Sequence, residues 1–90
     1  MIDRCLLRMI DLMGMVEAEN QRQIKKWGVQ DREPFEWLTY TAGELGELAK
    51  AISENHYRDG SPEQVVKEAI HTATLALKIG EMFLELERRK

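Results

Sequence analysis

Apolar residues recur at helical spacing in three stretches of the chain, and polar punctuation separates them. In the first stretch Leu6, Met9, Met13, Val16 and Ile24 fall on one side of a 3.6-residue helix, which predicts a helix from about Asp3 to Lys26. Lys25 and Lys26 occupy its last turn, where cations suit the negative end of the helix dipole, and Gly28 follows as a residue able to take the left-handed cap. Gln30-Asp31-Arg32-Glu33 is a polar connection. Pro34 suits the first turn of a second helix, because its missing N–H would have no intrahelical partner there. Leu38, Leu45, Leu48, Ala49 and Ile52 form that helix's apolar stripe, which predicts an end near Asn55, before the break His56-Tyr57-Arg58-Asp59-Gly60. Ser61-Pro62-Glu63-Gln64 then offers a capping serine, a proline at the first position and a glutamine at the third, a capping-box arrangement that opens a helix running to about Glu87.

The third helix is apolar on two sides. Val66, Ile70, Ala73 and Leu77 lie along one, and Leu75, Met82 and Leu86 along another. A helix apolar on two sides needs partners on two sides. The expected fold is all-α, a single domain over residues 1–90 with three helices per chain, assembling into a helical-bundle dimer or tetramer. Length supports assembly, since 90 residues bury only a modest fraction of their surface. An intrachain disulfide is excluded because Cys5 is the only cysteine, and a lone thiol suits a reducing compartment. Arg8 and Asp11 interrupt the first apolar stretch, so neither a signal peptide nor a membrane span is expected, and the cytoplasm is the default location. The net charge of −3, with no basic stripe beyond the tail Arg88-Arg89-Lys90, argues against duplex nucleic acid as a partner.

The charge pattern becomes informative at the carboxylates. Glu44 and Glu47 are three apart on the second helix and point to the same side. Glu44 falls at the edge of the apolar stripe beside Trp37, Tyr40 and Ala51, with Glu47 one step further round; Glu36, Lys50 and Glu54 describe the outer face. Glu68 opens a stretch without Asp, Glu, Lys or Arg that lasts until Lys78, and Glu68 and His71 share a strip with Leu75, Met82 and Leu86. Inward carboxylates on neighbouring helices repel one another unless one takes a proton or a divalent metal binds. Oxygen ligands of this kind suit Mg²⁺ or Mn²⁺. The same spacing fits a solvated pair, with Lys50 neutralising Glu47 or Glu54 along the helix and no ligand involved.

Glu44-Leu45-Gly46-Glu47-Leu48-Ala49-Lys50-Ala51-Ile52 resembles the E-x-x-E helix of the MazG-like all-α nucleoside triphosphate pyrophosphohydrolases. Arg22-Gln23, Trp27-Gly28-Val29-Gln30 and Trp37-Leu38 resemble that family's approach to the helix, and Lys67-Glu68-Ala69-Ile70-His71 falls where the family has its second acidic motif, E-x-x-D. The resemblance covers roughly Glu17 to Met82. It implies hydrolysis of a nucleoside triphosphate to the monophosphate and pyrophosphate, with Glu44, Glu47 and Glu68 holding Mg²⁺ on the phosphates and one carboxylate orienting the attacking water. Lys50 would then reach a phosphate oxygen, and Trp37 or Trp27 would stack on the base; a surface charge and core aromatics are the plainer roles. The departure is His71, which stands where the family has Asp. As a ligand, imidazole favours Mn²⁺, Zn²⁺ or Ni²⁺ over Mg²⁺; otherwise His71 is a hydrogen-bonded core residue. A site short of one carboxylate also fits a MazG-like fold that has become a catalytically inactive nucleotide-binding or protein-interaction module.

Overall fold

The computed structural model describes residues 8–89. Asp3, Cys5, Leu6 and Lys90, which entered the sequence reading, lie outside the described residues. Helix α1 runs over Met9–Trp27, α2 over Pro34–Tyr57 and α3 over Pro62–Arg88, and no strand occurs among the described residues. No helix among them is long and apolar enough to cross a membrane.

The local chemistry at each helix end accounts for these boundaries. Gly28 closes α1 with φ 77°, and its N–H donates to the Ile24 carbonyl at 2.7 Å; only glycine takes that backbone conformation without strain. Glu33 caps α2 through a reciprocal box with Glu36, and Pro34 occupies the first turn as expected. At the other end of α2 the chain reverses tightly. The Arg58 and Gly60 N–H groups both donate to the Glu54 carbonyl, the Asn55 amide donates to the Gly60 carbonyl at 2.6 Å, and Asp59 has φ 56°. At the start of α3 the Ser61 hydroxyl accepts from the Gln64 N–H at 3.1 Å, which is half of the anticipated capping box. The other half is absent: the Gln64 side chain turns into the helix and donates to Glu68 Oε1 at 2.8 Å.

Helix α3 is the shared element. It packs along α2 and, less extensively, along α1, whereas α1 and α2 do not pack on each other. The face of α2 turned toward α3 carries Trp37, Glu44 and Ala51 at heptad spacing, and Trp37 and Ala51 are the buried apolar side chains. The stripe expected to form the core of α2 lies largely outside it, with Leu38, Leu45 and Ile52 about half exposed. Val66 and Leu77 of α3 and Met9 and Met13 of α1 are exposed as well. Periodicity identified a coherent apolar face; it could not say whether this chain or another molecule covers it. The buried polar residues are Glu19, Glu68 and Thr74, and among the described residues no fully buried side-chain nitrogen or oxygen lacks a hydrogen-bond partner. Thr74 satisfies its hydroxyl on the Ile70 carbonyl and Thr72 on the Glu68 carbonyl.

Candidate metal centre

Two of the buried side chains are carboxylates, Glu19 from α1 and Glu68 from α3. Burying an ionised carboxylate costs several kcal/mol unless donors or a cation compensate. Packing alone therefore gives no reason for Glu19 and Glu68 to occupy these positions.

His71 lies between the acids. Its Nδ1 is 3.6 Å from Glu44 Oε2 and 3.7 Å from Glu68 Oε2, and its Nε2 is 3.5 Å from Glu19 Oε1. Each helix contributes one face of this cluster: Glu19 from α1, Glu44 from α2, and Glu68 with His71 one turn apart on α3. One ligand atom each from Glu44, Glu68 and His71 lies within 4.8 Å of the others. A small divalent cation with bonds of about 2.1 Å holds its ligand atoms roughly 3–4 Å apart. The donor set could hold such an ion if these atoms draw closer together, and its mixture of carboxylate oxygen and imidazole nitrogen suits Mn²⁺ and also accepts Mg²⁺.

The electrostatics agree with the geometry. Burial is the largest influence raising the Glu44 carboxyl above its ordinary value; the adjoining Glu68 carboxylate raises it further, and His71 partly offsets both. Glu19 moves the opposite way. Hydrogen bonds from Arg22, the largest influence, and from Gln23 outweigh its burial and hold it below the usual carboxylate range. Glu44 is consequently strained by its surroundings, and Glu19 is satisfied by them.

The cluster opens into a cleft of about 570 Å³ lined by Glu19, Glu44, Glu47 and His71 at its acidic part and by Trp27, Trp37 and Tyr40, with Arg22 and Arg32, elsewhere. Glu47 is exposed and lines this cleft, but it is not among the three converging ligand groups. Lys50 is exposed, and neither cleft described for the fold includes it. Trp37 is buried to 6% exposure and meets Tyr40 edge-on at 6.4 Å, so it is a wall of the cleft and a core residue at once. Arg32 sits over both rings, 5.9 Å from the Trp37 centroid and 5.0 Å from that of Tyr40, and donates to the Tyr40 hydroxyl at 3.2 Å.

Glu19, Arg32, Tyr40 and Gln64 are the members of this site that the charge pattern did not single out. A signal for Glu19 exists in the sequence: it lies seven residues after Leu12 and three after Val16, on the buried side of α1, with donors Arg22 and Gln23 three and four residues on. Comparisons of the chain with protein-family models, with curated protein sequences and with solved structures find no match.

Proposed function

We propose that the protein is a metal-dependent nucleoside triphosphate pyrophosphohydrolase of the MazG-like kind, which converts a triphosphate and water to the monophosphate and pyrophosphate. The observation that carries this reading is the convergence of Glu44, Glu68 and His71 beside a cleft that Glu44 and His71 line together with the aromatic Trp27, Trp37 and Tyr40 and the cationic Arg22 and Arg32. A triphosphate nucleotide has the matching polarity: an anionic chain that needs a cation and a flat base that favours aromatic surroundings.

Glu44, Glu68 and His71 would hold Mg²⁺ or Mn²⁺. The bound ion would neutralise charge on the phosphates and on the leaving pyrophosphate. Gln64 fixes one oxygen of Glu68, leaving Oε2 directed at the cluster. Glu47, exposed in the same cleft one turn along α2 from Glu44, is the carboxylate available to orient the attacking water. That water attacks the α-phosphorus, the bond from this phosphorus to the bridging α–β oxygen breaks, and the proton released passes to a carboxylate and then to solvent. Arg22 and Arg32 supply the positive charge that the sequence reading assigned to Lys50, and Trp27 and Tyr40 supply exposed aromatic surface beside the buried Trp37.

A second copy of the chain belongs to the proposal. Seventeen large hydrophobic side chains are exposed among the described residues. They include the Leu38, Leu45 and Ile52 stripe, whose regular spacing is that of a helix–helix interface. A homodimer, or a dimer of dimers, covers this face with a matching one. The catalytic reading is tested by measuring pyrophosphate release from a panel of nucleoside triphosphates with Mg²⁺ and with Mn²⁺, using wild type and Glu68→Gln. Metal-dependent release by wild type, reduced at least tenfold in the variant, is expected. Release that ignores the metal or the substitution would remove the cluster from the chemistry. A nucleotide that binds without being hydrolysed would mark the inactive binding module.

A further inference from the structure

Glu19 is the buried residue of α1, and it is a carboxylate. Two hydrogen bonds from Arg22, Nε to Oε1 and Nη2 to Oε2, both 2.8 Å, and one from Gln23 Nε2 to Oε2, 2.7 Å, fix its plane and keep it ionised. Its Oε1 faces His71 Nε2 at 3.5 Å, while the other ring nitrogen faces Glu44 and Glu68. A neutral imidazole carries one N–H and one lone pair. A lone pair on Nε2 would oppose an ionised carboxylate that three hydrogen bonds hold in place. A proton on Nε2 meets that carboxylate favourably and leaves the Nδ1 lone pair toward Glu44 and Glu68, at 3.6 and 3.7 Å, an arrangement those carboxylates oppose until a cation sits between them.

We infer that Glu19 is a positioning residue of the metal centre: clamped by Arg22 and Gln23, it keeps the His71 proton on Nε2 and so presents Nδ1 as a ligand beside Glu44 and Glu68. The inference rests on the reading of that cluster as a metal site. It gives His71 a defined role at the position where the resemblance leads one to expect Asp. An imidazole whose outer N–H is anchored on a carboxylate is an oriented and more basic ligand than a free one. The arrangement spreads the centre over all three helices, so α1 is part of the site although it contributes no ligand atom to the converging trio. It also tilts the metal preference toward Mn²⁺, because a nitrogen donor replaces a hard oxygen.

Long-range ¹H–¹⁵N spectra of the metal-free full chain at alkaline pH read the tautomer directly, with the exposed His56 as internal comparison. Glu44 and Glu68 draw the proton toward Nδ1 in the metal-free chain and Glu19 draws it toward Nε2, so the Nε2–H fraction of His71 is expected to be larger in wild type than in Glu19→Gln. Calorimetric titration with Mn²⁺ alone should show affinity about 10- to 100-fold weaker in Glu19→Gln, the usual consequence of losing an outer partner. Arg22→Gln, which loosens the clamp and keeps the carboxylate, should show a smaller loss. An Nε2–H fraction unchanged in Glu19→Gln would overturn the inference, as would unchanged Mn²⁺ affinity in the folded variant. If Glu19→Gln does not fold, the tautomer shift and the Mn²⁺ titration of Arg22→Gln decide. No Mn²⁺ binding by wild type would overturn the metal reading itself, an outcome distinct from metal binding that is indifferent to Glu19.

Discussion

Glu19 and Glu44 flank the same imidazole, yet protons act on them in opposite directions. The Glu19 carboxyl is held below its unfolded value, so its contribution to stability is present at neutral pH and is lost as pH falls through the folded value. The Glu44 carboxyl is held above its unfolded value, chiefly by burial, so its contribution is present only in acid and is lost as pH rises through the folded value. At neutral pH without metal Glu44 is therefore a liability. Glu44→Gln should raise the thermal midpoint at pH 7 and should abolish the upward shift expected of wild type with Mn²⁺. The advantage should shrink as pH is lowered and Glu44 takes up a proton. Melting curves of both proteins between acid and neutral pH, with and without Mn²⁺, check all three expectations. His71→Asp offers a complementary test of ligand hardness: metal titrations should show its preference moving from Mn²⁺ toward Mg²⁺, with circular dichroism confirming that the variant folds.

The helices show which parts of the architecture a sequence can state. Pro34 and Ser61-Pro62 located the starts of α2 and α3 because caps are local chemistry. Glu68 could be recognised as inward because a charge-free stretch follows it, and it is buried. The covered face of α2 was not legible, since Leu38, Leu45 and Ile52 have the periodicity of a core stripe whichever molecule covers them. Gln64 escaped for a related reason: capping serine and buried carboxylate compete for one side chain, and only the packed structure shows that Glu68 wins. The turn before α3 gives a test of its own. A Cβ on Gly60 would lie 3.0 Å from the Glu54 carbonyl carbon and 3.1 Å from the Asn55 nitrogen, both backbone atoms that cannot rotate away. Gly60→Ala should therefore lower the thermal midpoint more than Ser61→Ala, whose lost cap costs about 1 kcal/mol. Equal midpoints for the two variants would show that the turn is looser than its contacts imply.

The isolated chain exposes 7504 Å², against roughly 5,400 Å² for a compact monomer of its mass. Its radius of gyration is 15.0 Å, against about 12 Å for a compact chain of this length. The excess surface is of the size that permanent homodimers bury. Sedimentation equilibrium at micromolar concentration should give at least twice the chain mass, and Leu45→Glu, on the exposed stripe of α2, should shift the population toward monomer and lower the thermal midpoint. A stable wild-type monomer would leave the exposed apolar face without a self-partner. The proposed metal site and the proposed self-assembly serve one proposal, that this bundle cleaves nucleoside triphosphates between the α- and β-phosphates. ³¹P spectroscopy of a chelator-quenched reaction tests it most directly, because it identifies the bond broken as well as the fact of turnover. Nucleoside monophosphate and pyrophosphate should accumulate in equal amounts with Mn²⁺ or Mg²⁺ and be absent without metal; a diphosphate with inorganic phosphate, or unchanged triphosphate from every nucleotide tried with folded protein, would contradict it.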